Sequence, residues 1–164
     1  MSTFMLEAII TVILSVTSSD GDALYSIARG SYLTRETAGE HVMAARLAAA
    51  AYDVDADVLL SIAYHESRYL VTAVTMEPPD KQGHPRWSCG VMTPEPMTDH
   101  ALCLENTRSS LAGYLAGASH LRAWLLQCRG ALDCALRGYG GKAASEFKTR
   151  ARWIRRAREG QNRT

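Results

Sequence analysis

Val58 to Tyr69 reads V-L-L-S-I-A-Y-H-E-S-R-Y. Leu59, Ile62, Ala63 and Glu66 fall on adjoining faces at helical spacing, so the stretch is expected to form a central, largely buried helix. Asp53 to Asp57 (D-V-D-A-D) precedes it, and acids there cap a helix start and complement its dipole. Glu66 stands near the C-terminal end of this apolar segment. A carboxyl so placed is desolvated, which raises its pKa and keeps a proton available for general-acid chemistry. The plainer reading is a surface acid in a last helical turn, with His65 beside it.

Helical periodicity continues on both sides. Ala23–Arg29 and Glu40–Tyr52 are expected helices, with Thr34 a candidate cap three residues before Thr37, and Thr17 to Asp22 is expected to be a loop. Thr107–Gln127 carries Leu111, Tyr114, Leu115, Ala118, Leu121 and Leu125 in phase. Ala131–Gly138, ended by Tyr139-Gly140-Gly141, and Ser145–Arg158 complete the set. The fold class is therefore all-α, or α with a small β-ribbon, of six to eight helices around one core. The ribbon or a long loop is expected between Met76 and Pro96, which holds all five prolines. Residues 1–22 are set apart as an apolar helix and loop, and 23–164 as a single domain. Phe4 to Val16 is shorter than the roughly 20 residues that span a bilayer and lacks a basic start, so a packed helix is expected, with a signal or weak anchor as the rival.

The 164 residues are 47% hydrophobic and 21% charged, a globular composition that excludes a disordered or collagen-like chain. Net charge is +1, but the first 60 residues carry 8 acids and 3 bases and the remainder 9 acids and 15 bases. Lys148, Arg150, Arg152, Arg155, Arg156 and Arg158 concentrate the excess in the last helix. Polyanion contact is one reading of that helix. A solvated helix docked by Phe147, Trp153 and Ile154 is the other. No specific nucleic-acid motif, phosphate loop, Ser-His-Asp order or C-x-x-C pair is present. His65, His84 and His100 make no recognised metal-ligand spacing, and no metal or organic cofactor is expected. The four cysteines read either as two short-loop disulfides, Cys89–Cys103 and Cys128–Cys134, or as four reduced, buried thiols. Disulfides would place the protein in an oxidising compartment.

Beyond Glu66-Ser67, an ordered set follows: Ala73-Val74-Thr75, then Gly90-Val91-Met92-Thr93-Pro94, then Asn106 with Gly113-Tyr114-Leu115, then Ala135 to Gly141 (A-L-R-G-Y-G-G). This order resembles the lysozyme-like lytic transglycosylases of the soluble lytic transglycosylase and goose-type lysozyme group, over roughly Ala45 to Arg158. Their pattern is a helix ending in E-S, an A-x-S step, a G-L-M-Q-x-x-P-like turn, an N-x-x-x-G-x-x-Y-L helix and A-x-x-Y-N-x-G. Here Thr75 stands for the Ser, Thr93 for the Gln and Gly140 for the Asn, and the segment between Glu66 and Gly90 is longer.

The resemblance implies cleavage of the β-1,4 bond between N-acetylmuramic acid and N-acetylglucosamine in peptidoglycan, with Glu66 as the catalytic acid and then base. It implies substrate contact by Ser67, Thr75, Gly90, Val91, Met92, Thr93 and Tyr139, with Trp87 a further candidate for stacking on a sugar. Two alternatives stay open. A muramidase would need a second carboxyl, for which Glu77, Asp80, Glu95 and Asp99 are available. A non-catalytic module of a phage particle or secretion apparatus is the other. Glycan strands, and phage tail or secretion-apparatus proteins, are the expected partners. The expected location is the periplasm, the cell wall or a virion.

Overall fold

The computed structural model describes residues 18–94 and 96–161. The apolar segment Phe4 to Val16 and Glu95 lie outside them. The chain is about two-thirds helix with one small antiparallel ribbon, which matches the expected fold class.

Seven α-helices are described. α1 is Ser18–Ile27, α2 Arg35–Tyr52, α3 Ala56–Ser67, α4 His100–Glu105, α5 Ser110–Gln127, α6 Leu132–Gly140 and α7 Ala144–Gln161, with a 3₁₀ turn at Gly141–Ala143 before the last. α2 packs against α1, α3 and α5; α3 and α1 both pack on α7; α6 lies on α5. Side chains start most of these helices. Thr34 and Thr37 form a reciprocal capping box on α2, Asp55 accepts from the Asp57 and Val58 N–H groups on α3, and Ser109 caps α5. The core runs through Leu24, Val42, Leu59, Ile62, Met92, Tyr114, Leu121, Leu136, Phe147 and Ile154, all nearly or fully buried. Alanines 38, 44, 45, 48 and 49 give α2 a low surface against which its neighbours approach closely.

Several expected boundaries move, and glycine is the commonest cause. The loop expected from Thr17 to Asp22 is helix from Ser18, so the division expected at residue 22 falls inside α1. Gly21 acts here as a packing residue: a Cβ there would lie 2.9 Å from the Gly39 backbone of α2. Asp20 pairs with Arg46 of α2. α2 begins at Arg35, five residues earlier than expected, because the Thr34 cap operates. α6 continues past Gly138 to Gly140. The long helix starts at Ser110, and the short helix α4 before it was not expected.

Between α3 and α4 the chain forms the ribbon, β1 (Val74–Glu77) against β2 (Arg86–Cys89), with Thr75 opposite Ser88 and Glu77 opposite Arg86. Cys89 is bonded to Cys103, tying β2 to α4, and Cys128 is bonded to Cys134, tying the end of α5 to α6. Such bonds belong to oxidising compartments. Among the described residues no helix is long and apolar enough to cross a membrane.

The basic C-terminal helix spends several of its charges on the fold. Arg155 reaches Asp55 and Asp57, Arg158 reaches the buried Asp57, and Lys148 pairs with Asp133. The arginine pairs hold α7 to the start of α3, and the lysine pair ties it to α6.

Candidate active site

Glu66 ends α3 at the rim of a cleft of about 310 Å³. Glu77 of β1 and Ser88 of β2 form one wall, Thr93, Pro94 and Pro96 the next, His120 and Trp124 of α5 the floor, and Gly138 and Tyr139 of α6 the far side. A second depression of about 440 Å³ shares Pro94, Pro96 and His120 and continues along α5 toward Leu102 and Asn106. The two together make an elongated groove rather than a closed hole.

The Glu66 side chain is 24% exposed. Burial pushes its pKa above the ordinary carboxylate value, and the neighbouring Glu77 carboxylate adds to the rise; a hydrogen bond from Thr93 and the proximity of His65 work against it. The Thr93 hydroxyl donates to Glu66 Oε2 at 3.0 Å, and His65 Nδ1 stands 3.6 Å from Oε1. His65 turns its other nitrogen to Glu146, 3.3 Å away, and sets its ring edge-on to Phe147. A carboxyl that holds its proton above the ordinary carboxylate range, one oxygen fixed, at the edge of a groove, can protonate an oxygen of a bound ligand.

The turn that carries Thr93 is built into the core. Gly90 has φ +89°, and a Cβ on it would lie 2.5 Å from the Asn106 carbonyl oxygen, so this corner needs glycine. Val91 and Met92 are fully buried against Gly113 and Gly117 of α5. Ser67 donates to the Val91 carbonyl at 2.7 Å, and Tyr139 donates to the Met92 carbonyl at 3.0 Å. Thr93 itself sits at φ 35°, where a β-branched residue is strained.

Of the residues expected at the substrate, the structure brings Glu66, Thr93 and Tyr139 to the cleft. Ser67 is buried, and its hydroxyl is used on the Ala63 and Val91 carbonyls, so it braces the turn instead of meeting a ligand. Gly90, Val91 and Met92 are turn and core and do not form the groove wall. Thr75 is exposed on β1 outside the cleft. Tyr139 lines the cleft by its ring; its hydroxyl is committed to Met92, and burial, aided by the Glu66 charge, holds its pKa far above the ordinary value. Trp87 stacks on His100 with centroids 4.6 Å apart and lies outside the cleft. Among the candidate second carboxyls, Glu77 lines the cleft, Asp99 caps α4, and Asp80 is engaged by His84 and by backbone N–H groups of its own loop.

The reading of residues alone missed His120, Trp124, Ser88 and the two prolines. A signal was available for one pair: His120 and Trp124 stand four apart on α5, and the indole N–H donates to His120 Nε2 at 3.2 Å. The Trp124 ring lies over Gly138, where a Cβ would come within 2.3 Å of it. Gly140, which stands for the family's Asn, has Phe147 in the space a side chain would take, at 2.4 Å. Among the described residues no group of three or more His, Cys, Asp or Glu is placed to hold a metal ion. No family model matches the chain, and neither a curated protein nor a solved structure matches it.

Proposed function

We propose that this chain is a peptidoglycan lytic transglycosylase that cleaves the β-1,4 bond between N-acetylmuramic acid and N-acetylglucosamine. The observation that carries the reading is Glu66: one half-buried carboxyl with a raised pKa, held by Thr93 at the rim of an elongated groove. The protonated form gives its proton to the glycosidic oxygen as the bond breaks. The carboxylate left behind then takes a proton from the C6 hydroxyl of the muramyl ring, whose oxygen closes on C1 to give a 1,6-anhydro product. One carboxyl serves both steps, and no water is activated. Two disulfides agree with work outside the cytoplasm, in the periplasm, at the wall or in a virion.

A second reading has one observation in its favour. Glu77 shares the cleft with Glu66 and acts on its pKa. A second carboxyl across the groove is what a hydrolase uses to activate water or to hold the glycosyl cation.

Digestion of purified peptidoglycan by wild type, Glu66→Gln and Glu77→Gln, read by mass spectrometry, separates the readings. Anhydro-muropeptides from wild type and Glu77→Gln, with none from Glu66→Gln, are expected. Reducing-end products lost in Glu77→Gln would establish the hydrolase instead. No release by folded, oxidised wild type would remove the enzyme reading and leave a non-catalytic module of a phage particle or secretion apparatus.

A further inference from the structure

A second cleft, of about 370 Å³, opens between α3 and α7 on the other side of His65. Tyr64 forms its base. The ring is fixed at both ends: its hydroxyl donates to the Arg29 carbonyl at 3.0 Å, and its edge meets Tyr69. Two guanidinium groups lie on this one ring, Arg150 with its Cζ 3.3 Å from the centroid and Arg68 with its Cζ at 4.2 Å. Neither has a carboxylate partner among the described residues. That separates Arg150 from Arg155 and Arg158 on the same helix, which are held by Asp55 and Asp57. The one acid in the cleft, Glu146, is turned to His65. The rest of the lining is Ser61, whose hydroxyl is committed to the Phe147 carbonyl, the hydroxyls of Ser145 and Thr149, and the half-exposed ring of Trp153.

Two unpaired cations gathered on one ring repel each other, and an oxyanion placed against them removes that repulsion. Guanidinium forks match the two oxygens of a carboxylate, and their stacking on Tyr64 fixes the forks before the ligand arrives. Trp153 offers a flat apolar face for a sugar ring beside them. We propose that the α3–α7 cleft is an anion-recognition site that takes a carboxylate carried by the glycan, the free lactyl group of an N-acetylmuramic acid that bears no stem peptide, against Arg68 and Arg150. Assigning the carboxylate to the glycan rests on the peptidoglycan reading above. Continuity supports it: His65 lines this cleft and stands 3.6 Å from Glu66, so a single side chain separates the arginine cleft from that carboxyl.

The test needs no catalysis. The oxidised full chain is titrated with N-acetylmuramic acid, with N-acetylglucosamine and with inorganic phosphate, following the Trp153 indole N–H by NMR and assigning it with Trp153→Phe. A saturable shift with N-acetylmuramic acid is expected, with N-acetylglucosamine binding more weakly by about tenfold, the worth of one charge-assisted contact. Arg150→Gln and the more exposed Arg68→Gln are each expected to weaken the carboxylate-bearing sugar by about tenfold, and Arg156→Gln to leave it unchanged. Equal shifts from both sugars, or shifts indifferent to both cleft arginines, would overturn the site. Shifts from phosphate alone would overturn its assignment to the glycan. Wall digestion without the N-acetylmuramic acid shift counts against this site only. An arginine-dependent shift without wall digestion supports the site and counts against the transglycosylase reading only.

Discussion

Thr93 donates its hydroxyl to Glu66 across 3.0 Å from a backbone held at φ 35°. The strain of that conformation, about 1–3 kcal/mol for a non-glycine residue, is sustained because the two residues before Thr93 are locked in the core. Hydrogen bonding from Thr93 favours the ionised carboxyl, so it tempers the rise that burial imposes on Glu66. Thr93→Val keeps the shape and removes the donor. The Glu66 pKa is then expected to rise further, moving the alkaline limb of wall digestion to higher pH. The rate at the optimum is expected to fall by about tenfold from lost positioning. A pH–rate profile of turbidity loss checks both.

Glu66 also bears on stability. Its folded-state pKa is raised, so the folded chain holds this proton more tightly than the unfolded one. The associated stability is present below the ordinary carboxylate value and is lost as pH rises through the folded value. At neutral pH the half-buried charge is a cost, which Glu66→Gln removes. The variant is expected to melt a few degrees above wild type at pH 7.5 and at the same temperature at pH 4, by calorimetry, while losing at least about a hundredfold in activity.

His41 behaves in the opposite sense. It is buried on α2 against Tyr114 and Tyr69, and burial lowers its pKa to about 4, with Glu40 opposing. Tyr114 keeps its phenol proton, since burial pushes its pKa far up, so it donates to His41 Nδ1 at 3.3 Å. The unfolded chain protonates this imidazole near its ordinary value of 6.5. Stability from His41 is therefore complete above that value and lost as pH falls toward 4, by on the order of 3 kcal/mol. Urea titrations at pH 7 and pH 4.5 are expected to show the loss in wild type and a smaller one in His41→Gln.

The Cys89–Cys103 bond closes a segment of 14 residues that contains the wall of the cleft after β2. Chain-entropy arguments give such a loop about 3 kcal/mol, and about 2 kcal/mol for the shorter Cys128–Cys134 loop. Cys89→Ala with Cys103→Ala is expected to lower the urea midpoint more than Cys128→Ala with Cys134→Ala. Only the first pair should also reduce wall digestion in proportion to loss of structure around Pro94.

The helix that carries Glu66 was legible because its apolar spacing, its acidic cap and the carboxyl near its end lie within about a dozen consecutive residues. The ribbon was legible as punctuation, by its prolines. The floor of the cleft was not, because His120 and Trp124 come from α5, more than fifty residues along the chain, and only tertiary packing brings them to Glu66; Tyr139, further still, was expected there from the resemblance alone. Glycines misled in a consistent way. Gly21, Gly138 and Gly140 read as breaks, but each sits inside a helix where a neighbour occupies the place of its missing side chain. The expected sugar contacts at Ser67, Val91 and Met92 failed for a related reason. The motif marks residues that hold the turn in shape, and a short pattern does not distinguish bracing from contact.

Ser67 and Tyr139 grip adjacent carbonyls, those of Val91 and Met92, from two different helices. The turn is thus fastened like a hinge with both pins driven. Its reactive edge has no independent freedom, so heat or denaturant should release Glu66 and Thr93 from each other only when the whole core yields. Variation that retunes the groove without endangering the chain is left to the rim, at Glu77, Pro94 and Pro96.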